Sequence, residues 1–212
     1  MPVAGVRRRR TPRAARARRP RNAGGVRTVT WFTPHVARDD AFVPPDFHIG
    51  QFFYDARTAR RLADALDGYR APCCLCTPRL AAEWHRRGRT VAALDIDTRF
   101  AFLPGFRRFD LNAPTAIDAV FDAMIFDPVF QAAATLRRPV ELALKASRAH
   151  GPVDLFVTFP RERESDLLAS FAEFELRPLR FPLVYNNVKP DQQHRFGLYG
   201  PYEPGAGPPS VA

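Results

Sequence analysis

Lysine is almost missing from this chain: of 32 basic residues only Lys145 and Lys189 are not arginine. Cysteine is scarce as well. The three that occur, Cys73, Cys74 and Cys76, fall within four positions of one another, which excludes a disulfide framework. No further Cys or paired His stands at metal-ligand spacing, so a zinc site is not expected and buried thiols in a reducing compartment are. No apolar run reaches the ~18 residues of a membrane-spanning helix, and no signal-peptide apolar segment is present. A soluble, intracellular protein is expected, cytoplasmic or nuclear and nucleolar rather than organellar. Also absent is a phosphate cradle: no GxGxxG occurs, and no GKS or GKT follows the first strand. That lowers the expectation of NAD or ATP relative to a nucleoside without phosphates.

What is present is enough apolar material for one core, with 46% hydrophobic residues and 18 Phe among 212. The formal net charge of +10 is local. Residues 1–27 hold ten Arg and no acid, so the remainder, from Thr28 onward, carries 22 basic and 22 acidic residues. The head RRRRTPRAARARRPRNAGGVR has no apolar periodicity with which to offset its ordering entropy, so residues 1–30 are expected to form a disordered tail. Three functions suit it: a nucleic-acid arm binding by counterion release, a nuclear or nucleolar address, or an organelle transit peptide, the last weakened by the lack of Ser. The competing reading is a solvated tail enriched in Arg by codon bias. A folded domain is expected over residues 31–202, with 203–212 a second, Pro/Gly-rich tail.

Along the domain, YDARTARRLADALDG places Ala59, Leu62, Ala63 and Leu66 on one helical face, with Asp55 to cap it and Gly68 to end it. PCCLC is a short buried strand, and Thr77-Pro78 opens the helix RLAAEWHRRG, closed by Gly88. TVAALDI and RRFDL read as strands, AIDAVF as a helix, and AMIF as another strand. Pro139 is expected to start a helix with Val140, Ala143, Leu144 and Ser147 on one face, followed by the strand PVDLFVTF and the helix ESDLLASFAEF. LRFPLVY and HRFGLY read as two closing strands. Strands alternating with helices predict an α/β domain on a mostly parallel sheet.

In such sheets ligands bind beyond the carboxyl ends of the strands. Those ends carry Cys76-Thr77-Pro78, Asp95-Ile96-Asp97, Asp110 to Asn112, Asp127-Pro128-Val129-Phe130, and Thr158-Phe159-Pro160. Asp95 lies 18 residues beyond Thr77, close to the ~20-residue separation at which an acid takes ribose hydroxyls. Asp95 ends an apolar run and ranks above Asp97, which reads equally as a surface pair with Arg99. Tyr185-Asn186-Asn187 is either a polar turn or the lip of a substrate pocket. Trp84 reads as core and His85 as solvated. QFFY is expected to pack across the sheet end, with Tyr54 able to reach the pocket.

From Gln51 to about Tyr199 the chain resembles the N6-adenine methyltransferase-like family, which includes CCHC zinc-finger ribosomal RNA adenosine methyltransferases and lysine methyltransferases of elongation factor 1-alpha. The resemblance rests on QFFYDARTARRLADAL, CTPRL, LDIDTRF, FDLN, IFDPVF, TFPRERE and LVYNNV. It implies a seven-stranded class I S-adenosylmethionine-dependent methyltransferase fold with a Rossmann-like sheet. It places Cys76, Thr77 and Asp95 by the methionine and ribose of the cofactor, and Asp110 or Asn112 by its adenine; Pro78, Ile96 and Asp97 beside them are further cofactor candidates. Asp127 to Phe130 fall at the target amine; beside them, Tyr54, Tyr185 and Asn186 are the candidate substrate contacts read from the residues themselves. The chain departs from the family in two ways: Val129 replaces the second proline of the signature, and the flanking zinc fingers are missing.

An exocyclic adenine amine is a weak nucleophile because its lone pair is delocalised into the ring. Acceptors on its two N–H bonds, from the Asp127 carboxylate and the Pro128 carbonyl, would aim that lone pair at a methyl sulfonium, with Phe130 stacked on the base. Val129 presents the same carbonyl as proline, so the substitution is expected to loosen the turn without removing an acceptor. The alternative is a protein lysine substrate, whose ammonium, of unperturbed pKa ~10.4, must first lose a proton and would sit against rings such as Phe130 and Tyr185. A non-catalytic binding subunit that keeps the fold is the third reading.

Overall fold

In the computed structural model of the protein, residues 43–128 and 131–205 are described. The first helix, α1 (Ala56–Ala65), starts where expected, because the Asp55 carboxylate accepts the Thr58 amide at 2.6 Å. Its buried residues Thr58, Ala59, Leu62 and Ala63 recur at the helical period and face the sheet. Strand β1 (Pro72–Leu75) is wholly buried, and α2 (Pro78–Arg86) follows with proline in its first turn. Thr77, expected to cap α2, makes no capping bond. Its hydroxyl donates across the sheet to the Ile125 carbonyl at 3.4 Å.

The remaining strands are β2 (Ala92–Asp95), β3 (Phe106–Arg108), β4 (Ala123–Phe126), β5 (Asp154–Pro160), β6 (Arg177–Pro178) and β7 (Phe196–Gly200). They form one seven-stranded sheet in the order β3-β2-β1-β4-β5-β7-β6. The first five are parallel, while β7 runs antiparallel between β5 and β6. This is the class I methyltransferase arrangement that the resemblance implies. Period-two alternation divides the core between the sheet's two faces. Cys74, Ile125 and Phe156 pack with Leu62, Leu80 and Trp84 of α1 and α2. Cys73, Leu75, Met124, Phe126 and Val157 pack on the other face with Leu136, Val140 and Leu167, which come from α3 (Ala133–Ala143) and α5 (Glu164–Ser170).

Three expected elements are corrected. Pro139 does not start a helix, because α3 is already running from Ala133, its first turn closed when the Thr135 amide and hydroxyl both donate to the Ala132 carbonyl at 3.0 and 2.7 Å. The expected face survives: Val140, Ala143, Leu144 and Ser147 are all buried, the last in the short helix α4 (Lys145–Arg148). AIDAVF is not helical. Its donors are claimed by α3 and α4, the Ile117 amide by the Leu142 carbonyl at 3.3 Å and the Phe121 amide by Ser147 Oγ at 2.8 Å. LRFPLVY is not a strand beyond the short β6 before it. Its amides are taken mostly by side chains: Arg180 by Glu203, Val184 by the Thr58 hydroxyl and Tyr185 by Gln193 Oε1 at 2.9 Å.

The three cysteines are free thiols, Cys73 and Cys74 buried and Cys76 half-buried. Among the described residues no helix is long and apolar enough to cross a membrane. The expected tails, residues 1–30 and most of 203–212, lie outside the described residues.

Candidate active site

Strand register lines up the central row of the site. Leu75 pairs with Leu94 on one side and Phe126 on the other, and Phe126 pairs with Val157. One residue further along each strand stand Asp95, Cys76, Asp127 and Thr158, side by side at the carboxyl edge of β2, β1, β4 and β5. Two ladder bonds extend past the strands to hold this row, from the Cys76 amide to the Leu94 carbonyl at 2.9 Å and from the Asp127 amide to the Leu75 carbonyl at 3.2 Å. With parallel neighbours ~4.8 Å apart, Asp95 and Asp127 are separated by roughly 10 Å. The gap between them lies where strand order reverses, at β1 and β4, the usual crevice of a doubly wound sheet.

On the β4 side, Asp127 Oδ1 accepts two hydroxyls, from Thr158 at 2.5 Å and Tyr185 at 3.1 Å. The Tyr54 hydroxyl lies 3.1 Å from Thr158 Oγ1. Tyr54 and Tyr185 come from distant parts of the chain, joined by a single antiparallel bridge with ring centroids 5.2 Å apart. Burial pushes the Asp127 carboxyl up to about 7, although the hydroxyls favour its charged form. Pro128 follows, half-buried, while Val129 and Phe130 lie outside the described residues. Burial and the neighbouring Asp127 charge push both tyrosine hydroxyls well above their ordinary range, so they remain donors.

Asp95 is buried and accepts the Asp97 amide at 2.8 Å. Burial, with the Asp97 charge adding, pushes its carboxyl up to about 6. Asp97 and Arg99 are not an ordinary surface pair. Asp97 is buried, its oxygens bound by Arg99 at 2.7 Å and by the Gln51 amide at 2.7 Å. Burial alone would raise the Asp97 carboxyl, but those donors hold it below the ordinary value. Asp97 therefore ties the β2 loop to the chain before α1, with half-buried Ile96 between the two acids.

Cys76 stands between Asp95 and Asp127 at φ +55°, in left-handed backbone, and its thiol is pushed up by burial and by both carboxylates. Thr77 and Pro78 behind it are buried. The third strand's loop reaches the same edge: Asp110 Oδ1 accepts the Asn112 amide at 2.9 Å, and Gln131 Nε2 donates to Asn112 Oδ1 at 3.3 Å. Asn186 donates its main-chain amide to the Phe53 carbonyl at 2.9 Å. Its neighbour Asn187 is fully buried and holds the Phe53 amide and the Gln51 carbonyl with its side chain.

Sequence reasoning missed Thr158 and Gln51 as members of the site. Thr158 reads only as a strand end, and the one signal for more is its position as the polar residue in an apolar run. Gln51 carries no signal at all, since its partner is 46 residues away.

A family model described as probable N6-adenine methyltransferase matches residues 45–203. None of the curated proteins matches the chain. Among solved structures the chain is similar to a TehB-like SAM-dependent methyltransferase from Corynebacterium glutamicum, at 17% identity over 69% of this chain and 87% of that one, with a TM-score of 0.47. It is similar to a Thermoplasma acidophilum protein at 17% identity over 69% and 84%, TM-score 0.44. It is also similar to the 16S rRNA methylase RmtB at 12% identity over 72% and 77%, TM-score 0.39.

Proposed function

We propose that this chain, which belongs to the family of probable N6-adenine methyltransferases, transfers a methyl group to the exocyclic amine of adenine in RNA. Its cofactor is S-adenosylmethionine, which supplies an electrophilic methyl group on a sulfonium. The residues present fit that group. Buried Asp95 is the carboxylate at the end of β2, suited to two ribose hydroxyls, while the nearby Asp97 is taken up by Arg99 and Gln51. The left-handed backbone at Cys76 opens the β1 loop at the centre of the crevice. Asp110 and Asn112 border the same edge on the side of an adenine ring.

The observation that carries the target is Asp127, set beside the cofactor half of the crevice and followed at once by Pro128. Its carboxylate and the Pro128 carbonyl are two acceptors for the two hydrogens of an exocyclic amine. Loading both hydrogens holds the amine nitrogen with its lone pair out of conjugation and aimed along the crevice. Phe130 then serves as a stacking surface for an unpaired base. RNA as the carrier, ribosomal RNA in particular, is supported by CTPRL and LDIDTRF and by the ten Arg of residues 1–27.

A protein lysine target is the second reading, favoured by the paired rings of Tyr54 and Tyr185 beside the carboxylate. The test is incubation of the full chain with radiolabelled S-adenosylmethionine and separated RNA and protein fractions. Label in N6-methyladenosine from RNA, abolished by Asp127→Ala, supports the proposal. Label confined to protein and indifferent to ribonuclease overturns it in favour of lysine, and absence of any turnover leaves a binding subunit.

A further inference from the structure

Three hydroxyls gather at Asp127, two of them donating to one of its oxygens and the third, that of Tyr54, lying against Thr158 and close enough to favour the charged carboxylate, and their protons can be assigned by counting. Thr158 has a single hydroxyl proton and gives it to Asp127 Oδ1 at 2.5 Å. Its contact with Tyr54 at 3.1 Å must therefore run the other way, with Tyr54 donating to Thr158 Oγ1. Tyr185 donates separately to the same Oδ1 at 3.1 Å. Among the described residues no hydrogen bond lands on Oδ2. The donors come from three places, Thr158 on β5, Tyr54 before α1 and Tyr185 in the segment before β7. None of them is adjacent to Asp127 in sequence, and each is braced: Tyr54 and Tyr185 by their backbone bridge, Thr158 by its pairing with Leu198.

We infer that Thr158, Tyr185 and, through Thr158, Tyr54 are positioning residues for Asp127. They pin Oδ1 so that Oδ2 is presented in one fixed orientation to the target amine. The sequence assigned Tyr54 and Tyr185 to substrate contact; their hydroxyls are already committed to the carboxylate. The inference rests on the methyltransferase reading of the site. A carboxylate free to rotate would present either oxygen at varying angles, and a misplacement of about 1 Å costs up to ~100-fold in rate. A chain of aligned donors also favours the charged form, which leaves Oδ2 without a proton and open to the amine hydrogen. The groups facing this carboxylate are these hydroxyls, the Cys76 thiol on β1 and, beyond it, Asp95 on β2.

The experiment compares Tyr185→Phe, Thr158→Val and Thr158→Ser in the full chain. The expected result is a fall in kcat of ~10–100-fold for the first two, with KM for the methylated substrate little changed and substantial recovery in Thr158→Ser. Because each hydroxyl stabilises the charged carboxylate, its removal should move the acid limb of the kcat profile to higher pH. A rise in KM with kcat unchanged overturns the inference and returns these residues to substrate contact, and a lower kcat with an unmoved acid limb overturns it as a structural effect. A carbon-13 titration of the Asp127 carboxyl supplies a second readout. Its midpoint should rise in Tyr185→Phe and Thr158→Val whether or not the protein transfers methyl groups. An unmoved midpoint defeats the positioning role, whereas a moved midpoint in a protein without turnover defeats the methyltransferase reading and leaves the hydroxyl coupling standing.

Discussion

The Cys76 amide donates to the Leu94 carbonyl at 2.9 Å even though Cys76 has left the extended region for φ +55°. The β1–β2 ladder thus holds for one residue after the strand conformation ends, and the chain turns sharply there into α2. An L-residue in this region is strained by ~1–2 kcal/mol, and β-branching makes it worse. Cys76→Val should therefore destabilise the domain by about 1–2 kcal/mol in urea unfolding. Cys76→Gly, which relieves strain but loosens the unfolded chain, should stay within ~1 kcal/mol of the parent. The same thiol, pushed up by burial and two carboxylates, should resist alkylation at neutral pH; rapid labelling of Cys76 by iodoacetamide at pH 7 would contradict the environment described.

Asp127 ties stability to pH in an uncommon direction. Its folded carboxyl is pushed up to about 7 by burial, above the ordinary 3.8. It contributes most to folding below the ordinary value, where it is protonated in both states, and that contribution is lost as pH rises through about 7. Asp127→Asn keeps an acceptor for the two hydroxyls and removes the charge. It should raise stability by about 1–3 kcal/mol at pH 8, with the gain shrinking towards pH 4. Thermal melts across that range check the sign.

Asp95 and Asp97 should separate by assay. Asp95→Asn is expected to weaken S-adenosylmethionine binding by ~10-fold or more in calorimetry with little change in melting temperature. In the parent protein, affinity should decline as pH falls through about 6, where Asp95 takes up a proton and loses its charge. Asp97→Asn breaks the buried pairing with Arg99 and Gln51 instead. Its main effect should be a loss of about 1–3 kcal/mol of stability.

Gly105 admits no side chain, because a Cβ built there would lie 1.9 Å from the Val91 carbonyl oxygen. Its own carbonyl accepts the Ala93 amide at 3.0 Å, so the clash cannot be relieved without displacing the start of β2. Gly105→Ala should cost about 2–3 kcal/mol. The end of β2 bearing Asp95 should loosen with it, read as weaker cofactor binding.

For the arginine-rich head, the expectation is electrostatic. If residues 1–27 neutralise RNA phosphates, deleting them should flatten the dependence of log affinity on log salt by ~0.7 for each phosphate they had neutralised. An unchanged slope in filter binding would remove the tail from RNA recognition.

Sequence alone determined the parts of this protein whose causes are local. Asp55 capping α1, Pro78 opening α2, the apolar strands β1, β2 and β4, and the acids Asp95 and Asp127 at the ends of β2 and β4 are set by neighbours within a few positions. Those ends, taken with the sheet rule, were enough to select Asp95 and Asp127. Tertiary structure decided everything that depends on where a donor finds its acceptor. LRFPLVY has strand composition, yet Thr58 and Gln193 take its amides, and AIDAVF yields its own to α3 and α4. The hydroxyls of Thr158 and Tyr185, 31 and 58 residues from Asp127, reach it only because parallel register brings β4 and β5 level and a single bridge folds Tyr185 over them. Hydrogen bonds at that separation leave no period or spacing in a chain, so no reading of the chain alone could have found them.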